Sequence, residues 1–217
     1  MPLFRYLDRQ YVDEFRKDGK LLISPLYKYR SIDDIRQDPT EGLVSTSITS
    51  GKFSSEEAKS ILGIDNQIEI GPGGALVYNN HLPNGYLVST STVRGSHLMT
   101  RFKCDDYFII NDPKRFSEAI SSALSANIGY QVHGKVIYVR QKLHHQTVPE
   151  LIKVGKALGS YSENDYFIKK ESYKIESEYR FLFFTKASDP VQPTFIQITQ
   201  GEVQSCCSFR ATRSKSR

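Results

Sequence analysis

The chain lacks most of the features that make common chemistries legible. Its three cysteines are Cys104, alone, and the adjacent Cys206 and Cys207. That spacing makes neither a secreted disulfide framework nor a zinc site. The five histidines, His81, His97, His133, His144 and His145, include no i, i+4 pair and no cluster with carboxylates or cysteines. A metal site therefore has no support. Cys104 stands beside Asp105 and Asp106, and nearby carboxylates raise a thiol pKa, so it is an unpromising nucleophile. No apolar run approaches the roughly 20 residues that span a bilayer. Met1 to Arg9 carries charges where a signal peptide needs an apolar centre. The expectation is a cytoplasmic protein that uses neither membrane nor metal. Gly71-Pro72-Gly73-Gly74 lacks the downstream Lys-Ser/Thr of a phosphate loop and the spacing of a dinucleotide fingerprint. It reads as a turn.

What is present is enough for one core. At 217 residues the chain suits a single domain that needs no disulfides. Its net charge is +5, part of it in the segment from Arg210 to Arg217, which has no apolar periodicity. Residues 1–205 are expected to form the domain and 206–217 a basic, disordered tail.

The pattern of apolar residues sets out the elements. Leu3 to Leu7 reads as a strand, and Asp8 then caps a helix carrying Tyr11, Val12 and Phe15 until Gly19. Lys20 to Tyr29 and Leu43 to Ile48 are strand-like, with a polar loop from Asp33 to Gly42 between them. Ser54 or Ser55 caps a short helix through Leu62. Ala75 to Tyr78, Tyr86 to Thr92 and Asp106 to Ile110 are further strands, the first bracketed by turns. Pro113 opens a helix with Phe116, Ile120, Leu124 and Ile128 along one face. Lys135 to Arg140 alternates like a strand, and Val148 to Leu158 reads as a helix. An aromatic loop from Tyr161 to Tyr173 leads to a strand opening at Glu176, and a last strand runs from Thr194 to Ile198. Strands and helices are mixed without regular βαβ alternation. That order predicts a single α+β domain with a split, largely antiparallel sheet flanked by helices.

The most informative stretch is Glu176-Ser177-Glu178-Tyr179-Arg180, which runs into Phe181-Leu182-Phe183-Phe184. On one continuous strand, Glu176, Glu178 and Arg180 share a face at the rim of a core. Arg5 lies on the first strand, and Ser89-Thr90-Ser91 ends an apolar one. Arginine, then Ser-Thr-Ser, then Glu-x-Glu in that order resembles the arginine–serine–glutamate class of ADP-ribosyltransferases. The resemblance implies NAD as substrate. Arg5, with its neighbour Tyr6, would bind the cofactor's pyrophosphate side. Ser89, Thr90 and Ser91 would hold the nicotinamide-side ribose. Breaking the nicotinamide bond builds positive charge on that ribose. Glu178 would stabilise this charge, and Glu176 would orient or deprotonate the acceptor. Ser45-Thr46-Ser47 repeats the middle element, so either segment could line the site.

A second resemblance spans residues 3 to 184. Phe4-Arg5-Tyr6, Gly19-Lys20-Leu21, Tyr29-Arg30, Asp38 with Glu41-Gly42, Val88 to Ser91, Asp112-Pro113 with Phe116, and Glu176-x-Glu178-Tyr179-Arg180 look like a widespread uncharacterised bacterial family. Gln37 stands where that family usually has asparagine, and the chain has no tryptophan to follow the middle serine. Its members share a fold rather than an established activity.

The expected function is mono-ADP-ribosyl transfer to a macromolecular acceptor, protein or nucleic acid, in a toxin, effector or phage-conflict setting. Tyr166 or Tyr173 would face the acceptor. The alternative is a non-catalytic nucleic-acid-binding or interaction module using the basic tail, Lys28-Tyr29-Arg30 and Lys169-Lys170. A hydrolase using Glu176 and Glu178 as acid and base ranks last, because i, i+2 neighbours lie on one side of a substrate.

Overall fold

The computed structural model describes residues 1–30, 38, 41–63, 65–83, 85–124, 128–140, 143–147, 149, 162–186 and 192–210. In chain order the elements begin with β1 (Leu3–Leu7), α1 (Arg9–Asp18), β2 (Lys20–Pro25), β3 (Leu43–Ile48) and β4 (Gly51–Phe53). Next come α2 (Ser55–Leu62), β5 (Ile68–Ile70), β6 (Leu76–His81), β7 (Tyr86–Ser91) and α3 (Ser96–Arg101). They continue with β8 (Asp106–Ile110), α4 (Pro113–Ala123), β9 (Ile128–Lys135), β10 (Ile137–Val139) and β11 (Leu143–Gln146). The last are β12 (Ile168–Lys170), β13 (Glu178–Thr185), β14 (Thr194–Gln197), α5 (Gln200–Cys206) and β15 (Cys207–Phe209). The fold is α+β, and every pairing in its eight-stranded sheet is antiparallel. No helix among the described residues is long and apolar enough to cross a membrane.

The chain forms two compact units, Met1–Glu41, Asn84–Tyr138 and Ser172–Arg217 in the first, Gly42–Pro83 and Val139–Glu171 in the second. The first unit holds the eight-stranded sheet, and β7 is its branch point. Along one edge β7 pairs with β13 over its whole length, from Ser91 opposite Glu178 to Tyr86 opposite Phe183. Its other edge is shared. Tyr86 and Leu87 pair with Pro25 and Ser24 of β2, while Ser91 pairs with Phe4 of β1. The β2 branch carries β14, and the β1 branch carries β8 and β15. The sheet thus splits beside Val88–Thr90.

Period-2 alternation gives this sheet two unlike faces. On one, Leu3, Ile23, Val88, Phe108, Phe181 and Phe183 pack under the apolar residues of α1, α4 and α5. Every one of those sheet side chains is at most 1% exposed. Fully burying side chains of this size contributes about 1.5–3 kcal/mol each. On the other face, Tyr6 and Tyr107 pack with Leu98 of α3, and Ser91 and Glu178 stand opposite each other.

Local signals explain the helices. Gly19 closes α1 in the left-handed region at φ 67°, with its N–H donating to Phe15 O at 2.9 Å. A Cβ there would also run into the Ile198 carbonyl, so glycine is required twice over. Asp8 holds the N-cap position but makes no side-chain cap bond. Pro113 and the Asp112 cap, which accepts from Arg115 N at 3.1 Å, open α4.

The second unit is built on β3, which pairs antiparallel with β6 and parallel with β11. A β4–β5 pair and α2 enclose a small core of Ile48, Phe53, Ala58 and Ile61. The α2 start is a reciprocal capping box between Ser54 and Glu57.

Several boundaries differ from the sequence-based expectation. The strand opening at Lys20 stops at Pro25, which has no N–H to continue the ladder, and Leu26–Arg30 turns as 3-10 helix. Ile128, placed by spacing on α4, opens β9 and pairs with Thr185. The strand expected from Lys135 to Arg140 is two: β9 ends at Lys135, and the Val136 N–H donates to Glu178 O at 3.0 Å before β10 begins. The expected tail boundary at residue 206 is also displaced. Cys206 ends α5 and Cys207–Phe209 pairs with β8, both cysteines being buried. The expected helix at Val148 to Leu158, most of the loop from Asp33 to Gly42, Tyr161 and the tail from residue 211 lie outside the described residues.

Candidate functional site

The site grows from the end of β7. Four consecutive hydroxyls there grip four consecutive residues at the start of β13. Ser89 Oγ donates to Glu178 Oε1 at 2.6 Å, and Thr90 Oγ1 donates to the Tyr179 carbonyl at 2.9 Å. Ser91 Oγ donates to the Glu176 carbonyl at 2.8 Å, and Thr92 Oγ1 to the Ser177 carbonyl at 3.1 Å. Ser177 sits at φ 44°, a left-handed value that non-glycine residues seldom adopt. The Thr92 N–H also donates to Ser177 O at 2.8 Å, holding that turn.

The turn overturns the expectation of one continuous strand through Glu176. Glu176 ends a 3-10 segment, Glu171–Glu176, and β13 begins at Glu178. The left-handed Ser177 breaks the alternation, so the two glutamates take separate partners. Glu176 pairs with Arg101 of α3, whose Nε and Nη2 reach Oε1 at 2.9 and 2.8 Å. The Arg101 guanidinium also lies 5.7 Å from the centre of the Tyr173 ring, within cation–π range. Tyr173, half-buried, therefore joins Glu176 through Arg101.

Glu178 is held from every side. Its N–H donates to the Tyr138 hydroxyl at 2.7 Å, and its carboxylate meets Arg180. Arg180 Nε donates to Glu178 Oε1 at 2.9 Å and Nη2 to Oε2 at 3.2 Å. The same guanidinium takes Glu41 as a two-pronged partner, Nη1 to Oε1 at 2.8 Å and Nη2 to Oε2 at 2.6 Å. Arg180 is 0% exposed, Glu41 2% and Glu178 4%. Burial works to lower the arginine's pKa, but Glu178 and Glu41 outweigh it and hold the guanidinium protonated, above its ordinary range. The formal charge of the group of three is −1. Removing the arginine would leave two buried carboxylates without it, at a cost of about 3–5 kcal/mol.

Arg5 has a different position from the one expected. It shares a face with Leu3 two residues before it, and its cross-strand partner Phe108 lies in the core. Its guanidinium reaches into the split and Nη1 donates to the Ser89 carbonyl. It ties the β1 branch to the strand bearing the serines. Tyr6 is corrected to a structural residue. It is 4% exposed, its hydroxyl accepts from Gly95 N at 2.9 Å and donates to Val93 O at 3.1 Å. Burial pushes that phenol above its ordinary pKa. Tyr166 is likewise corrected: it is 1% exposed, with its hydroxyl donating to Pro83 O at 3.1 Å inside the second unit. A ring so enclosed presents no surface to an acceptor. Ser45-Thr46-Ser47 belongs to the second unit, where Ser45 Oγ donates to Asn79 Oδ1 at 2.7 Å.

No sequence signal marks Arg180, Glu41, Arg101 or Tyr138 as site residues. Glu41 and Arg180 were visible as members of two short motifs, Asp-Pro-x-Glu and Glu-x-Glu-Tyr-Arg, but nothing in the sequence joins them across 139 positions. Among the described residues no three His, Cys, Asp or Glu side chains gather to hold a metal ion. No family model, curated protein or solved structure matches the chain.

Proposed function

We propose that the protein transfers ADP-ribose from NAD to a macromolecular acceptor. The observation that carries this reading is the junction of Ser89 and Glu178 at the fork of the sheet, with Arg5 bound to the same serine's carbonyl. Three segments distant in sequence meet there, the serine hydroxyl bonding the carboxylate and the arginine bonding the serine's carbonyl. In the reaction, the bond between ribose C1′ and the nicotinamide nitrogen breaks, and nicotinamide leaves with the electron pair. The acceptor's nucleophile forms the new bond to C1′ and gives up its proton. Glu178 offsets the positive charge that develops on the ribose. Ser89 holds that carboxylate, Arg5 supplies fixed positive charge at the split, and Glu176 orients or deprotonates the acceptor. NAD is a substrate here, and no metal takes part in the proposed chemistry.

The test is nicotinamide release by purified protein, followed by mass spectrometry, with Glu178→Gln as comparison. The variant is expected to lose on the order of 10²–10³ in rate. Its fold should persist, because Arg180 retains Glu41 as a partner. Unchanged release, or a variant that unfolds, defeats the role given to Glu178.

A non-catalytic binding module is the second reading, favoured by the partly exposed Arg101 beside Tyr173. It would bind single-stranded nucleic acid with steep salt dependence and release no nicotinamide.

A further inference from the structure

We infer that Arg180 and Glu41 are positioning residues for Glu178, forming a charged strut that fixes both the direction and the ionised state of its carboxylate. This rests on the proposed glycosyl transfer and adds to it two residues from distant parts of the chain. Glu178 opens β13, where a side chain at a strand end has freedom to swing. Here Arg180 Nε and Nη2 hold its two oxygens at 2.9 and 3.2 Å, one donor to each oxygen. A planar fork sets orientation as well as charge, which a lysine cannot do. Glu41 grips the far side of that fork at 2.8 and 2.6 Å and stops it from rotating. The strut is buried throughout, so its interactions are little screened by water or salt.

The charge count is suited to the chemistry. Counted formally, two carboxylates and one guanidinium leave one negative charge, opposite in sign to the positive charge developing on a ribose. A fixed arrangement of this kind needs no reorganisation during reaction. Glu178 also accepts from the Ser89 hydroxyl and donates its N–H to the Tyr138 hydroxyl; one bond further out, Arg5 donates to the Ser89 carbonyl and the Asp38 carbonyl accepts from Glu41 N at 2.7 Å.

The test is the pH dependence of nicotinamide release for wild type, Glu41→Gln, Arg180→Gln and Arg180→Lys. Arg180→Gln removes the opposite charge beside a buried carboxylate, so the acid limb of the rate profile should move to higher pH. Glu41→Gln removes a like charge, so its acid limb should move to lower pH. Both should lose about 100-fold in kcat through misplacement, with KM for NAD unchanged. Arg180→Lys keeps the charge and should restore the acid limb without restoring kcat. Opposed displacements of the two limbs are the expected result. Limbs that coincide with wild type, or a rise in KM at unchanged kcat, overturn the positioning role while leaving the transfer reading in place. If Arg180→Gln does not fold, the direction taken by Glu41→Gln decides alone. A wild-type protein that releases no nicotinamide overturns the reaction and this role together.

Discussion

Two identical tripeptides, Ser45-Thr46-Ser47 and Ser89-Thr90-Ser91, lie on six-residue strands and meet different partners. The first sits in a three-stranded sheet, where Ser45 bonds the side chain of Asn79. The second sits where the large sheet forks and spends its three hydroxyls on Glu178, Tyr179 and Glu176. Local sequence is the same in both, so propensity and alternation are the same. What separates them is the strand each one faces. Opposite Ser89–Ser91 lies a segment with a left-handed residue and a buried charge, and hydroxyls there have carbonyls and a carboxylate to satisfy. A short polar motif acquires chemistry only from the strand paired with it.

That contrast can be broken most decisively through activity. Ser89→Ala removes the hydroxyl bonded to the Glu178 carboxylate and, on the proposed transfer reaction, is expected to slow nicotinamide release by about 100-fold. Ser45→Ala should leave the rate at the wild-type level in the same assay. Equal losses, or none from Ser89→Ala, would mean that the two tripeptides are equivalent and that the Ser89 bond is only structural.

Stability offers a smaller but cleaner separation. Ser91 Oγ donates to the Glu176 carbonyl and accepts from Val93 N at 3.1 Å, and the residue is 1% exposed. Ser91→Ala leaves two polar groups wanting partners and should cost about 1–3 kcal/mol in a denaturant titration. Ser45→Ala, at a hydroxyl exposed to solvent, should fall within about 0.5 kcal/mol of wild type. Values that agree with each other would remove the energetic basis of the comparison.

The smallest effect examines β13 from its other neighbour. His133 of β9 places Nδ1 2.6 Å from the Tyr179 hydroxyl, on the residue whose carbonyl Thr90 holds. Burial lowers the histidine's pKa from its ordinary 6.5. A lowered value in the folded state means that the unfolded chain binds the proton more readily. The stabilisation is therefore complete above 6.5 and lost as pH falls through the folded value. The melting temperature should drop between about pH 7 and about pH 5, and His133→Asn should flatten that drop. A variant with the same acid slope would remove His133 as its source.

Much of the framework was legible because its causes are local. Gly19 ends α1, the Ser54–Glu57 box starts α2, and Asp112-Pro113 starts α4, each through backbone groups within a few residues. β1, β3 and β8 coincide with their apolar patterns. β9 was hidden because Ile128-Gly-Tyr-Gln-Val-His-Gly-Lys135 is polar and glycine-rich, and among the described residues it pairs with β13 alone. α3 and α5 were hidden because they are short and show one or two buried apolar residues each. At the site, Ser89 and Glu178 were legible as a motif order, and the structure brings them within 2.6 Å. The separate partners of the two glutamates were not legible. They depend on the positive φ of Ser177, which no residue type at that position announces.

The sequence alone thus determined the α+β class, the ends of α1 and α2, the start of α4 and the residue types available for chemistry, because these follow from periodicity and short-range bonding. Tertiary structure alone decided which of two identical tripeptides meets a carboxylate. It also joined Glu41 to Glu178 through Arg180, and turned Arg5 into the tie across the split. The physical reason is range. Caps and alternation act over a few residues, whereas a buried ion pair forms wherever folding places opposite charges out of reach of water, however far apart they stand in the chain.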